Sequence, residues 1–150
     1  MFDAFAQARV AVLDDDRNFQ TLMRTMLRQS GFRRVDVFGD PDEALAHVGE
    51  IAVDLMFVDL VMPRQNGIDW VRKVRRRPSL VNPEMGIVMM SGHVVRAVLE
   101  PAVTAGIDAF LVKPISPEAL LRHARRVLVA REPYVGGPGD YWGPDFRRTR

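Results

Sequence analysis

Short apolar runs alternate with amphipathic stretches along most of the chain. Residues 9–13 (Arg-Val-Ala-Val-Leu) form a run that stops at Asp14-Asp15-Asp16, as a strand buried on both faces does. Leu22, Met23, Met26 and Leu27 then recur at helical spacing, and Ser30-Gly31 closes that segment like a C-terminal cap. Val35 to Phe38 is a second short strand. Asp40-Pro41-Asp42-Glu43 places an acid at the N-cap, proline at N1 and glutamate at N3, which opens a helix carrying Ala44, Leu45 and Val48. Val53 to Val58 is a third strand ending at Asp59, Met62 to Gly67 has loop chemistry, and Ile68 to Arg76 reads as a helix. Ile87 to Met90 is a fourth strand ending at Ser91-Gly92, followed by a helical stretch from about Val94 to Ala105. Phe110 to Val112 is the fifth strand, followed by Lys113-Pro114, and Ser116-Pro117-Glu118 opens a last helix to about Arg131.

This is five βα units over residues 9–130. Strands that alternate with helices imply an α/β fold, a (βα)5 doubly wound parallel sheet covered on both faces. Right-handed crossovers put every strand's C-terminal end on one edge, where ligands gather in such sheets. Residues 131–150 differ: seven Gly or Pro, four aromatics (Tyr134, Tyr141, Trp142, Phe146) and no helical or strand periodicity. They read as a C-terminal tail to the 9–130 domain.

Composition narrows the class. With 150 residues the chain is one ordinary domain, and with no cysteine it has no disulfide scaffold, thiolate zinc site or cysteine nucleophile. No apolar run approaches the roughly 18 residues that cross a bilayer, and no secretory signal opens the chain, so a cytoplasmic protein without membrane insertion is expected. The net charge of +2 is too small to argue for nucleic acid. Of the 21 basic residues only Lys73 and Lys113 are lysines, so a lysine at a strand end stands out. Nothing after residue 130 reads as a helix-turn-helix, and DNA is not an expected partner.

The strand ends carry the chemistry. Strand one delivers Asp14-Asp15-Asp16, strand three Asp59, strand four Ser91 and strand five Lys113. Each alone is an ordinary cap or loop residue; together they bring at least three carboxylates, a hydroxyl and an ammonium to one edge. Crowded carboxylates repel unless a cation sits among them, and an all-oxygen site suits Mg²⁺. A hydroxyl and an ammonium opposite would cradle a phosphoryl group, and the nearest acid could attack it to form an acyl phosphate.

The segments Val10 to Asp16, Phe57 to Pro63 with Gly67, Met90-Ser91-Gly92 and Phe110 to Pro114 resemble the signature set of the response-regulator receiver domain. The 45, 32 and 22 residues separating Asp14, Asp59, Ser91 and Lys113 are similar to that family's intervals. The resemblance implies a flavodoxin-like strand order 2-1-3-4-5 and a phosphorylation switch in place of an enzyme. It implies Asp59 as phosphoacceptor, Asp15 as direct Mg²⁺ ligand with Asp14 acting through water, and the Val61 backbone carbonyl as a further metal oxygen. Ser91 and Lys113 take the phosphoryl-binding positions, and Phe110 the aromatic switch position. A histidine kinase or phosphotransfer protein would be the donor, and a protein such as the flagellar motor switch the target. Asp16 reads as surface charge or as the first helix's N-cap.

Two departures from that pattern bear on function. Pro101 falls inside the helix before strand five, where its ring clashes with the Ala97 carbonyl, so that helix is expected to kink or to shorten at its N-terminal end. Val61 and His93 stand two residues beyond the acceptor and the hydroxyl, where such residues influence water access. Val61 cannot orient water; His93 has the chemistry to do so, and reads equally as a surface residue.

Arg72-Lys73-Val74-Arg75-Arg76-Arg77 reads as a solvated helix end. Arg122, Arg125, Arg126 and Arg131 share a face that leads into the tail. The tail fits three readings: a disordered terminus, a protein-docking segment, or a nucleotide site in which rings and guanidinium planes stack on bases. Tyr141 to Arg148 resembles the arginine-rich tails of some chemotaxis-type receivers, which implies cyclic di-GMP as ligand at Arg131, Tyr134, Tyr141, Trp142, Asp145, Arg147 and Arg148. The competing enzyme reading is a haloacid-dehalogenase-like Mg²⁺ phosphohydrolase with Asp14-x-Asp16 as its first motif. Arg17 and Asn18 follow where that motif wants a small hydroxyl or apolar residue, and no acidic pair follows Lys113.

Overall fold

A computed structural model describes residues 4–76, 80–92 and 96–147. Five parallel strands, β1 (Arg9–Leu13), β2 (Arg34–Phe38), β3 (Leu55–Asp59), β4 (Gly86–Ser91) and β5 (Ala109–Val112), form one sheet in the order β2-β1-β3-β4-β5. The expected fold class and strand order are those found. Because successive side chains on a strand point to opposite faces, each strand feeds two cores. Ala11, Leu13, Met56, Val58, Ile87 and Met89 pack under α3 (Pro41–Val48), α4 (Gly67–Arg75) and α5 (Arg96–Ala105). Val10, Val12, Leu55, Phe57, Val88 and Met90 pack under α2 (Arg17–Gln29) and α6 (Pro117–Val129). The continuous apolar runs in the sequence are the trace of this two-sided burial.

Side-chain caps start the helices where the sequence places them. Asp16 accepts from the N–H groups of Asn18 and Phe19, Asp40 from Asp42, and Ser116 from Ala119, with Pro41 and Pro117 in the first turns. Asn66 caps α4 in the same way by accepting from Asp69. Ser30 ends α2 and Gly31 follows at φ 109°. A four-residue helix, α1 (Ala4–Gln7), has no counterpart in the sequence reading; its Phe5 stacks on Phe32 at 4.4 Å. The proline expected to kink or shorten this helix lies inside α5, which runs from Arg96 through Pro101 to Ala105; the expected start near Val94 lies outside the described residues. Pro101 is the sixth of the ten residues of α5, so it removes the donor that would meet the Ala97 carbonyl, and Ala102 and Ala105 beyond it are buried all the same.

The described residues of the tail, up to 147, form a hairpin that its aperiodic sequence does not announce. β6 (Val135–Gly137) pairs antiparallel with β7 (Tyr141–Gly143), and the turn uses positive φ at Gly139 (65°) and Asp140 (63°). Three-residue strands are too short to show a period. The hairpin is held to the domain by a buried polar cluster centred on Arg75, which is 2% exposed and so corrects the reading of its whole segment as solvated. Arg75 donates to the carbonyls of Gly106 (2.9 Å) and Met85 (2.7 Å), to Asp108 Oδ2 (3.0 Å) and to the Tyr134 hydroxyl (3.1 Å). The Tyr134 hydroxyl donates to Asp108 Oδ2 (2.8 Å) and accepts from Arg131 (2.7 Å). The Ile87 N–H completes the Asp108 carboxylate at 2.8 Å. Burial pushes the Tyr134 hydroxyl's pKa well above its ordinary value, so it stays a donor at neutral pH. At Gly106, φ 118° and the Arg75 side chain beside it leave no room for a Cβ.

Removing one partner of a buried pair strands the other charge, at a cost of about 3–5 kcal/mol. Arg75→Met is expected to lose stability on that scale in urea unfolding. Arg72→Met removes only an exposed pair with Asp69 and is expected to change stability by less than about 0.5 kcal/mol. Equal costs would show that Arg75 is not the anchor.

Candidate functional site

Parallel pairing carries the C-terminal ends of β1, β3, β4 and β5 to one edge, and with them Asp14, Asp15, Asp59, Ser91 and Lys113. One carboxylate oxygen from each of Asp14, Asp15 and Asp59 lies within 4.8 Å of the others. Asp14 is fully buried, Asp59 is 6% exposed and Asp15 faces solvent. Lys113 Nζ bridges the two buried acids, 2.9 Å from Asp14 Oδ2 and 3.2 Å from Asp59 Oδ1.

Local hydrogen bonds fix these groups. Asp14 Oδ1 accepts the Asp16 N–H at 2.8 Å, and Gln20 donates to the Asp14 carbonyl at 2.6 Å. The Lys113 N–H donates to the Ser91 carbonyl at 2.8 Å, and the Lys113–Pro114 peptide is cis. Behind Asp59 the Gly67 N–H closes the loop onto the Leu60 carbonyl at 2.8 Å. A side chain at Gly67 would overlap the Asp59 carbonyl, so this turn requires glycine. Arg64 ties the same loop to α3 through Asp40 (3.3 Å) and Asp42 (3.1 Å).

Burial pushes Asp59 above the usual carboxylate range and the Asp14 charge adds to it, while Lys113 and the Val61 N–H pull it back only in part. Burial works against the Lys113 ammonium, but its hydrogen bond with Asp14 and the charges of Asp14 and Asp59 outweigh it and hold Lys113 above the usual lysine value. A third carboxylate stands within reach of these two, and the donors are all oxygen. That set fits a hard divalent cation such as Mg²⁺.

Three observations therefore coincide: a parallel sheet in the order 2-1-3-4-5, an acid triad at its carboxyl edge, and a lysine across from the central acid. The sequence profile of the response regulator receiver domain matches residues 10–125. The chain belongs to the response regulator receiver family. This receiver is 32% identical over 117 residues to the DNA-binding response regulator MtrA of Mycobacterium tuberculosis, covering 78% of the chain and 49% of MtrA. It is 30% identical over 124 residues to the cyclic di-GMP phosphodiesterase response regulator RpfG of Xanthomonas campestris, covering 82% of the chain and 32% of RpfG. It spans about half the length, or less, of these curated relatives. Among solved structures, the chemotaxis response regulator CheY4 of Vibrio cholerae superposes with a TM-score of 0.73 at 28% identity, over 81% of this chain and 98% of that one.

The other candidate residues sort by position. Ser91 is buried at the end of β4. Val61 is 71% exposed, with its N–H directed at the Asp59 carboxylate. Phe110 is half-buried and lines a groove of about 540 Å³ between α5 and α6, with Leu99, Val103, Arg126, Pro144 and Asp145. Asp16 is used as the α2 cap, so it does not converge with Asp14 as the phosphohydrolase reading requires. His93, Arg77 and Arg148 lie outside the described residues.

The tail docks at the opposite edge of the sheet, against the loops that enter β4 and β5. Tyr134 and Tyr141 are buried, and burial pushes the Tyr141 hydroxyl up to about 12. Arg131 lies over the Tyr134 ring at 4.0 Å and pairs with Glu84. Trp142 donates to Glu84 at 2.6 Å and remains 40% exposed; Arg147 is exposed and pairs with Asp145. The sequence reading missed the Arg75–Asp108 pair. Its signal was present, because Arg75 continues the buried stripe of Ile68, Val71 and Val74, where a charge needs a partner.

Asp59→Asn removes the repulsion and the burial cost of the carboxylate charge. The variant is expected to melt roughly 2–4 °C higher than the parent without metal at neutral pH, the shift that about 1 kcal/mol produces at this size. Because the folded chain protonates Asp59 more readily than the unfolded chain does, the gain fades as pH falls through the carboxylate range. Mg²⁺ is expected to raise the parent's melting temperature more than the variant's. An unchanged melting temperature in Asp59→Asn would contradict the charge crowding.

Proposed function

We propose that the chain is a phosphorylation switch of a two-component relay, with Asp59 as phosphoacceptor. The observation that carries this reading is the Lys113 ammonium seated between Asp14 and Asp59 at the edge where the acids converge. An Asp59 carboxylate oxygen attacks the phosphorus of a phosphohistidine on a histidine kinase or phosphotransfer protein. The O–P bond forms as the P–N bond breaks, and the electron pair stays on the donor imidazole. The product is an acyl phosphate. Asp14, Asp15, Asp59 and the Val61 carbonyl are the groups that would hold Mg²⁺, which supplies positive charge to the phosphoryl oxygens when bound. Lys113 pairs with one of those oxygens and the Ser91 hydroxyl donates to another. Phe110, on the groove between α5 and α6, relays the change to a face that a partner protein reads. The likeness to CheY4 of Vibrio cholerae supports a motility target, such as the flagellar motor switch, for a cytoplasmic protein.

Acetyl phosphate with Mg²⁺ is expected to place one alkali-labile phosphoryl group on the chain, read by intact-mass spectrometry, and none on Asp59→Asn. Labelling that persists in Asp59→Asn, or catalytic turnover abolished by Asp14→Asn, would replace the switch with a phosphohydrolase.

The cyclic di-GMP reading of the tail requires the stacking groups to be available. Arg131, Tyr134 and Tyr141 are engaged inside the docked hairpin, leaving Trp142 and Arg147 at the surface. We therefore read the tail as a structural segment of the receiver, and calorimetric titration of the intact chain with cyclic di-GMP is expected to give no saturable heat. A saturable heat that Arg147→Ala removes would restore the tail as a nucleotide site.

A further inference from the structure

The ammonium of Lys113 has three N–H groups. Two are directed at Asp14 Oδ2 and Asp59 Oδ1. Near the same nitrogen lies a group that plays no part in the chemistry above: the ring of Phe19, whose centroid is 4.1 Å from Nζ. The face of an aromatic ring carries negative potential and attracts a cation, most strongly where water is partly excluded. Lys113 is such a case, its side chain 26% exposed.

The ring is held on two sides. The Phe19 N–H donates to the Asp16 cap at 3.3 Å, which ties it to the first turn of α2 and so to the acid run at the end of β1. Its side chain is half-buried against the core cluster under α2 and α6. The adjacent Gln20 holds the Asp14 carbonyl. One helical turn thus fixes both the acid and the aromatic neighbour of the same lysine. An aromatic ring suits that position because it steadies the ammonium without adding a carboxylate to a site that already crowds three.

We propose that Phe19 is a positioning residue for phosphoryl transfer: its ring holds the Lys113 ammonium across from Asp59, where the incoming phosphoryl oxygen will be met. The inference rests on the reading of Asp59 as phosphoacceptor. If the ring acts through its face, its effect must follow ring electrostatics and not size. If it acts only as packing, any apolar side chain of similar volume will serve.

The test uses the full chain. Position 19 is substituted site-specifically with mono-, tri- and pentafluorophenylalanine, which drains the ring face of negative potential while nearly preserving shape. The initial rate of Asp59 labelling by acetyl phosphate with Mg²⁺ is expected to fall stepwise along the series. The fall should reach about three- to tenfold in the pentafluoro chain and in Phe19→Leu, with Phe19→Trp near the parent. A second readout needs neither phosphate nor metal. The chain has only two lysines, and Lys73 is exposed, so comparison with Lys73→Arg assigns the Lys113 ε-methylene resonances. Ring current is expected to displace them upfield from those of Lys73, and Phe19→Leu to abolish the displacement. Rates that stay level from phenylalanine to pentafluorophenylalanine overturn the proposal whatever the resonances show, as do Lys113 resonances that do not move in Phe19→Leu. A parent chain that accepts no phosphoryl group overturns the Asp59 assignment and this inference together; a labelled parent with a level series overturns this inference alone.

Discussion

The Lys113 ammonium, shared between two buried carboxylates, is the interaction around which this fold is arranged. Asp14 is wholly removed from solvent, a placement that costs several kcal/mol for an ionised group unless opposite charge and hydrogen bonds compensate. The compensation comes from two distant parts of the chain: Lys113 from the end of β5 and the Asp16 N–H from the start of α2. The parallel sheet brings these groups into contact because β1, β3 and the edge strand β5 all end on the same side. One ammonium against three acids leaves the edge electron-rich, so a divalent cation is welcome there. Burial first, and the Asp14 charge beside it, explain why Asp59 holds a proton more readily than an exposed aspartate.

Much of this arrangement could be read from residue types alone, because it is local or strictly periodic. The caps Asp16, Asp40 and Ser116 announce their helices within three residues, and two-sided burial writes each strand as an apolar run ending in a polar residue. The acids, Ser91 and Lys113 were legible as a group once right-handed crossovers placed all strand ends on one edge. What could not be read depends on contacts between remote segments. Arg75 looks like one more cation in a basic run until Asp108, 33 residues away, is seen opposite it. Tyr134 and Tyr141 look like ligand-stacking rings until the hairpin folds them under Arg75 and Arg76. Pro101 is a local signal of another kind: it removes one helical donor, and α5 runs through it to bury Ala102 and Ala105.

The two polar clusters use opposite strategies. At the carboxyl edge, charges of one sign are in excess and a solvent-facing acid, Asp15, leaves the site open. At the other edge, Arg75, Asp108 and Tyr134 satisfy one another and the neighbouring carbonyls in a closed network. The first cluster keeps an excess of negative charge and the second balances its own. Separating them by the length of the strands lets one edge take up chemistry while the other keeps β4 and β5 in register.

The hairpin cluster also imposes an order on biosynthesis. Arg75 and Asp108 are both made before Tyr134, and until that tyrosine leaves the ribosome the carboxylate of Asp108 lacks one of its donors. The nascent sheet can pair its five strands earlier, but it cannot complete the seal at the base of β4 and β5. A chain interrupted after α6 would leave Asp108 and Arg75 without the Tyr134 hydroxyl that joins them, which is the kind of half-satisfied surface that quality-control proteases and chaperones recognise.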